Sequence, residues 1–186
     1  MKQLLPALLA VVVAPAAAAA YVLDPTHTSV HFALPHFNTS VLRGRFERKQ
    51  GSIEFDRAAR TGHVDIAVEI ASVDTGVAAL DAHLQGRQVF DGARFPTARF
   101  VGEHFVFSGD RVDAVAGRLT LHGQTHALTL KARRFNCYTS PLFLREVCGG
   151  DFEATLQRSL WGIDDGLPAI APDSVQLLIQ VEAIRQ

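Results

Sequence analysis

The chain has 186 residues, of which 48% are hydrophobic and 20% charged, and its formal net charge is −1 at pH 7. These values suit one globular domain with a sizeable core, and the lack of a basic block argues against a nucleic-acid partner. Twelve Phe stand against one Trp and two Tyr, and Phe fills apolar space without needing a hydrogen-bond partner.

The first twenty residues differ in composition from the rest of the chain. Lys2 precedes an apolar stretch from Leu4 to Val13, and three alanines at 18–20 form a small-residue cleavage pattern before Tyr21. This pattern predicts a secretory signal peptide over residues 1–20, with an uncleaved membrane anchor as the alternative. The mature domain is then residues 21–186.

Short alternating stretches follow, broken by Gly, Asp, Asn and Pro, and they predict antiparallel β-structure. Val30, Phe32 and Leu34 form one apolar row, and residues 64–70 and 175–181 form two more with the same alternation. About eight to ten such stretches each have one apolar side. Closing the sheet into a barrel covers these sides and removes exposed edges.

Residues 74–96 interrupt the alternating pattern. Val77, Leu80 and Leu84 have helical spacing, and Gly86 is a plausible helix end. Phe90 and Phe95 follow in a loop. The segment therefore predicts one short helix with an aromatic tail, suited to covering a barrel mouth.

The stretch "GRLTLHGQTHALTL", residues 117–130, predicts a hairpin with a tight turn at His122-Gly123. Leu119 and Leu121 share one side of its first strand, and Leu128 and Leu130 share one side of its second. These sides face either a packed core or a space kept for a ligand. Interspersed small residues favour a space, among them Ala33, Ala67, Gly102, Ala116 and Gly117.

Both cysteines, Cys137 and Cys148, lie in the predicted mature domain. An exported protein with two cysteines favours one disulfide, here at the base of a hairpin tip that contains Pro141. Two independent buried thiols are the alternative.

Several motifs together resemble the YceI-like family of secreted, lipocalin-like isoprenoid-binding proteins. They are "YVLDPTHTSVHFALPH" from Tyr21, "GRF" from Gly44, "GSIEFD" from Gly51, "LDAHLQGRQVFDGARFPTARF" from Leu80, the hairpin from Gly117 and "RSLWG" from Arg158. The resemblance covers nearly the whole mature chain. The cysteine pair is not general in the family, and Trp161 stands where Phe is more usual.

The resemblance implies an eight-stranded antiparallel lipocalin-like barrel with one short helix and a capping loop. It also implies a periplasmic carrier or store that holds an isoprenoid, such as a polyprenyl quinone, or another long-chain amphiphile. No cofactor is required, transient membrane contact is expected, and the oligomeric state, including a homodimer, stays open.

The predicted ligand contacts combine the inward strand faces with the capping segment. They are Phe32, Leu34, Phe46, Phe55, Ile66, Val68, Leu84, Phe90, Phe95, Phe100, Leu119, Leu121, Leu128, Leu130 and Trp161. His83 and Arg158 are candidate polar contacts for a head group. For both, the sequence favours a structural role over head-group contact: His83 holding the lid, and Arg158 pairing with Asp91 or Asp164.

Other functions receive less support from the sequence. Eight histidines invite a metal- or haem-linked redox accessory role, but none forms a short zinc motif, so no metal ligand is predicted. The chain has no nucleophile elbow and no phosphate-binding loop, which argues against an enzyme. A structural protein with a filled core is the remaining alternative.

Overall fold

The computed structural model describes residues 18–186, so the predicted signal peptide lies outside the described residues except for its last three alanines. This part of the chain forms eleven strands and one α-helix. The strands are β1 (Ala19–Leu23), β2 (Ser29–His36), β3 (Ser40–Phe46), β4 (Lys49–Asp56), β5 (Thr61–Glu69), β6 (Val73–Asp74), β7 (Thr97–Ser108), β8 (Arg111–Leu121), β9 (Gln124–Thr139), β10 (Glu146–Gln157) and β11 (Ser174–Arg185). The helix is α1 (Ala78–Gln85), and short 3-10 turns span Ile70–Ser72 and Arg158–Trp161.

The strands close into an eight-stranded antiparallel barrel, which confirms the predicted fold class. The ring runs β1, β4, β5, β7, β8, β9, β10, β11 and back to β1. β1 and β2 are two parts of one bent barrel strand, because both pair with β11: Leu23 with Ala183, and Phe32 with Leu177. β3 and β4 likewise share the next position, paired with β2 and β1. Closure leaves no long unpaired edge in the ring.

Successive side chains along each strand point alternately into the barrel and towards its outer wall, as the sequence predicts. On β5, Val64, Ile66 and Val68 face the interior, while Asp65 forms an ion pair with Arg99 on the outer wall. The predicted rows on β2 and β11 also face inward. The barrel interior is therefore built from Val, Leu, Ile and Phe.

The predicted β8–β9 hairpin is confirmed. His122 and Gly123 both have positive φ, 49° and 74°, between the paired residues Leu121 and Gln124. Two successive positive φ angles define the turn whose twist matches the flanking strands, and glycine adopts them without steric cost. This turn lies at the same end of the barrel as α1.

Aromatic side chains close the opposite end. The Phe55 ring lies 6.0 Å from Phe105, 6.1 Å from Phe107 and 5.7 Å from Phe135, between ring centroids. The predicted disulfide is present beside this cluster, joining Cys137 to its cross-strand partner Cys148 with an S–S distance of 2.06 Å. We call this the closed end and the end with α1 the mouth.

The helix also agrees with the prediction, because α1 ends at Gly86. None of its residues is buried, so it covers the mouth without being embedded in the core. Across residues 18–186, no helix is long and apolar enough to cross a membrane.

Candidate ligand-binding cavity

The barrel interior is hollow along much of its length. An upper chamber of about 510 Å³ lies below the mouth, and a lower chamber of about 160 Å³ reaches towards the closed end. Five residues belong to the linings of both chambers and lie at the boundary between them, which we call the waist. They are Val30, Val68, Ala98, Leu119 and Leu177.

The lower chamber is almost entirely apolar, and a polar group lies beneath it. The Tyr21 hydroxyl donates a hydrogen bond of 2.6 Å to Glu146 Oε1, and Arg185 approaches the same carboxylate oxygen at 3.7 Å. Burial, and then the negative Glu146, raise the pKa of Tyr21 to about 12. Tyr21 is therefore a neutral donor at physiological pH, and its ring completes the apolar floor.

The upper chamber is covered by α1 and the loop that follows it. Leu80, Leu84 and Phe90 point into the chamber from this side. His83 Nε2 lies 3.1 Å from the Asp165 carboxylate, which joins α1 to the loop of residues 163–173 on the other side of the mouth. This exposed pair is a polar contact at the entrance of an otherwise apolar space.

Arg158 lies at the wall of the upper chamber and is only 7% exposed. Its guanidinium donates to four backbone carbonyls rather than to Asp91 or Asp164, at distances of 2.8–3.3 Å. The acceptors are Ile163, Asp165, Ala171 and Pro172. Four of its five N–H groups are thus used within the protein, so Arg158 organises the mouth loop and its predicted carboxylate pairing is wrong.

Thirteen of the fifteen apolar residues predicted as ligand contacts line one or both chambers. Phe95 and Trp161 do not. Phe95 packs on the β8–β9 turn, with its ring 5.1 Å from that of His122. Trp161 is fully buried in the core, and its indole nitrogen donates to the Leu119 carbonyl at 3.2 Å.

Small residues contribute less space than the sequence suggested. Ala33, Ala67 and Ala116 alternate with inward-facing neighbours and so face the outer wall. Gly102 and Gly117 do face inward and are cross-strand partners. A Cβ on either would lie within 2.9 Å of the Phe100 ring, so these glycines let Phe100 lie flat along the wall.

Several lining residues were missed by the sequence-based list of contacts. They are mainly the other members of the same inward rows and the underside of the mouth, including Val30, Ile53, Val64, Leu80, Val89, Ala98, Phe105, Val115, Phe135, Phe152, Ile163, Ile170, Leu177, Ile179 and Val181. Strand alternation could have identified most of the strand residues. The Tyr21–Glu146 bond could not be predicted, because its partners are 125 residues apart.

The eight histidines are dispersed. His122 Nδ1 bonds to the Trp161 carbonyl at 2.9 Å, and the His126 ring packs edge-on against the Trp161 ring at 5.0 Å. Among residues 18–186, the one set of three side chains close enough to share a metal ion is Cys137, Glu146 and Cys148, and its two sulfurs form the disulfide.

The bend between β1 and β2 contains a buried carboxylate. Asp24 has a side chain 7% exposed and accepts bonds from the Thr26 amide and hydroxyl, and His27 Nδ1 lies 2.9 Å from it. Burial alone would raise the pKa of Asp24, but the bonds with His27 and Thr26 outweigh it and hold the pKa at about 2. The same carboxylate raises the pKa of His27.

This pair predicts a pH-dependent contribution to stability. The Asp24 part is present above the ordinary Asp pKa of ~3.9 and is lost as pH falls through about 2. The His27 part is present below ~6.5 and is lost as pH rises through the raised His27 pKa. We therefore expect Asp24→Asn to lower the free energy of unfolding most at pH 4–6, where both parts are present, and less at pH 2.5 and 8.5.

Urea unfolding of wild type and Asp24→Asn at pH 2.5, 5 and 8.5 measures this effect. The exposed Asp113→Asn is the matched control and should change stability little at any pH. If Asp24→Asn lowered the free energy of unfolding by the same amount at all three pH values, the Asp24–His27 pair would not be the source of the pH dependence.

The fold and cavity together define a class: a closed antiparallel barrel that encloses two adjacent apolar chambers with polar groups at the two ends. The comparisons with known proteins identify the family. The YceI-like domain matches residues 21–183, and a UPF0312 protein of Pseudomonas paraeruginosa is 34% identical over 174 residues, covering 92% of this chain and 90% of that protein. The chain belongs to the YceI-like family.

Solved structures share the fold at lower sequence identity. BcnA of Burkholderia cenocepacia superposes with a TM-score of 0.72 at 20% identity, covering 86% of this chain and 98% of BcnA. A domain from Saccharophagus degradans, described as polyisoprenoid-binding and implicated in plant cell wall breakdown, superposes with a TM-score of 0.66 at 16% identity, covering 90% and 99%.

Proposed function

We propose that this protein binds one long-chain isoprenoid or similar amphiphile, with its tail passing through the waist and its head beneath α1. The observation that carries the proposal is the pair of adjacent apolar chambers inside the barrel, whose linings share the waist residues. An eight-stranded barrel is just wide enough to hold one small ligand, and the upper chamber has the size of common ligand sites. The polyisoprenoid-binding description of the Saccharophagus degradans domain supports the ligand class.

The energetics favour a long apolar tail. Each buried CH₂ group contributes on the order of 0.8 kcal/mol, so one isoprene unit contributes a few kcal/mol. Several units can offset the cost of immobilising the ligand. Because such a tail is almost insoluble in water, a protein that shields it can carry or store it in an aqueous compartment.

In this proposal, His83 contacts the polar head group of the ligand. It is half exposed, points at the upper chamber, and already contacts the Asp165 carboxylate. Arg158 contributes indirectly, because most of its donors hold the mouth loop. The head group would replace or extend the His83–Asp165 contact when the chamber is filled.

The proposed location is the periplasm, after removal of residues 1–20. The predicted signal peptide supports it, and the Cys137–Cys148 disulfide agrees with an oxidising compartment. There the protein acts as a carrier or store rather than as an enzyme. It needs no cofactor besides its bound lipid and makes transient contact with a membrane.

Organic extraction of the natively purified mature protein, followed by mass spectrometry, tests the proposal. We expect one dominant long-chain amphiphile near one molecule per protein. Delipidated protein should then take up geranylgeraniol, seen as a matching mass by native mass spectrometry. Absence of any lipid together with no uptake would refute the proposal, and a metal or visible chromophore at the same stoichiometry would favour the redox accessory role instead.

A further inference from the structure

The hairpin between β9 and β10 presents three consecutive large apolar side chains to solvent. Leu142 is 79% exposed, Phe143 42% and Leu144 81%. We call residues 140–145 the tip. It lies at the closed end, away from the mouth, so these side chains take no part in the cavity.

The tip is held in place by its own hydrogen bonds. Ser140 is buried; its amide donates to the Arg145 carbonyl at 2.9 Å, and its carbonyl accepts from the Leu144 amide at 2.8 Å. The Ser140 hydroxyl oxygen also accepts from the Leu142 and Phe143 amides, both at 3.3 Å. With the disulfide at its base, the tip displays its apolar side chains on an ordered backbone, so little entropy would be lost on docking.

The outer wall next to the tip is also apolar. Tyr138, Val147, Ile184 and Val22 are successive cross-strand partners on β9, β10, β11 and β1. Tyr138 and Val22 are exposed, whereas Val147 is buried beneath its neighbours. The Tyr138 hydroxyl donates to the carboxylate of Glu182 at 3.2 Å, so one acidic group borders this wall. Tyrosine, with an apolar ring and a polar hydroxyl, suits the boundary between lipid and water.

Charge differs between the two ends of the barrel. The closed-end segments 56–61, 108–111, 140–146 and 184–186 contain five arginines and three acidic residues. The arginines are Arg57, Arg60, Arg111, Arg145 and Arg185, and all are exposed. The mouth segments 36–39, 70–96 and 158–173 contain six aspartates and three arginines, one of which is the enclosed Arg158.

We propose that the closed end is a docking surface for anionic lipid bilayers, with the tip inserted among the lipids and the arginines at the head groups. Apolar side chains next to basic ones bind such surfaces by combining burial with electrostatic attraction. The acidic mouth then points away from the bilayer. This docking surface is separate from the cavity and does not depend on the proposed ligand.

Flotation of the mature protein with vesicles of phosphatidylcholine and phosphatidylglycerol, 3:1, tests the proposal. We expect Leu142→Ser/Leu144→Ser to reduce the vesicle-bound fraction at least tenfold. The matched control is Phe37→Ser/Leu160→Ser, which removes two exposed apolar side chains at the mouth and should leave binding unchanged. Pure phosphatidylcholine vesicles should bind the wild type several-fold more weakly.

Tryptophan fluorescence is a second measurement, which reports insertion of a single side chain and not the vesicle-bound fraction of the protein. Leu144→Trp should show a blue-shifted emission with the mixed vesicles, quenched by brominated lipid, whereas Leu160→Trp should not. The proposal is overturned if the mouth variant loses binding while the tip variant retains it. It is equally overturned if the wild type binds neither kind of vesicle, and a tip variant that then changes its elution from an oligomer to a monomer would assign the tip to self-association.

Discussion

Substitution of Ala98 by Phe should reduce the bound long-chain ligand more than tenfold while leaving the barrel folded. Ala98 lies at the waist, where its small side chain borders both chambers. A phenyl ring there would occupy the boundary at which the tail, in the proposed binding mode, enters the lower chamber. Extraction and mass spectrometry, together with geranylgeraniol uptake by delipidated protein, measure the loss.

The stability of Ala98→Phe also distinguishes a hollow barrel interior from one that is filled with side chains. Extra side-chain atoms in a well-packed core cost about 1–3 kcal/mol, whereas a ring entering an existing space costs little. Ala67→Phe is the matched control, because Ala67 lies beside Val68, the cross-strand partner of Ala98, but faces the outer wall. Loss of ligand in both variants, or a large destabilisation confined to Ala98→Phe, would contradict the cavity.

The largest loss of stability is expected at Arg158. Its guanidinium is the shared partner of four carbonyls in residues 163–172, and Arg158→Met leaves those carbonyls without it. Buried groups stripped of a charged partner are costly, so we expect a decrease of about 3–5 kcal/mol in the free energy of unfolding. Chemical denaturation monitored through the buried Trp161 measures it.

Two other substitutions sharpen the interpretation. Arg158→Lys should recover only part of the loss, because an ammonium group cannot reproduce the planar fork of donors. Arg134→Met is the control: Arg134 forms an exposed ion pair with Asp151, for which we expect a change below about 1 kcal/mol. If Arg158→Met and Arg134→Met lowered the free energy of unfolding equally, the carbonyl contacts of Arg158 would stabilise the fold no more than an exposed ion pair does.

The sequence predicts the strand faces well because alternation has a physical cause. A strand places successive side chains on opposite faces, so the rows on β2, β5 and β11 follow once the barrel is assumed. The His122-Gly123 turn and the end of α1 at Gly86 are equally local signals. All of these depend on residues close together in the chain.

Loop residues and distant partners were less predictable. Phe95 and Trp161 lie outside regular strands, so alternation gives no face for either, and both pack on the protein itself. The sequence predicts an aspartate partner for Arg158, whereas the folded loop of residues 163–172 surrounds its guanidinium with four carbonyls. The alanines at 33, 67 and 116 show that small size does not indicate which face a residue occupies.

The shallow seat of α1 has a kinetic consequence. α1 has no fully buried residue, and only Leu84 of the helix packs partly against the core, while the exposed His83–Asp165 contact joins it to the loop of residues 163–173. Local opening of such an element costs less free energy than unfolding of the whole barrel. We therefore expect the amide protons of α1 to exchange with solvent far faster than those of β7–β11. Their exchange rate should be set by local opening of α1 rather than by unfolding of the barrel. A ligand of the proposed kind would then exchange while the barrel stays folded.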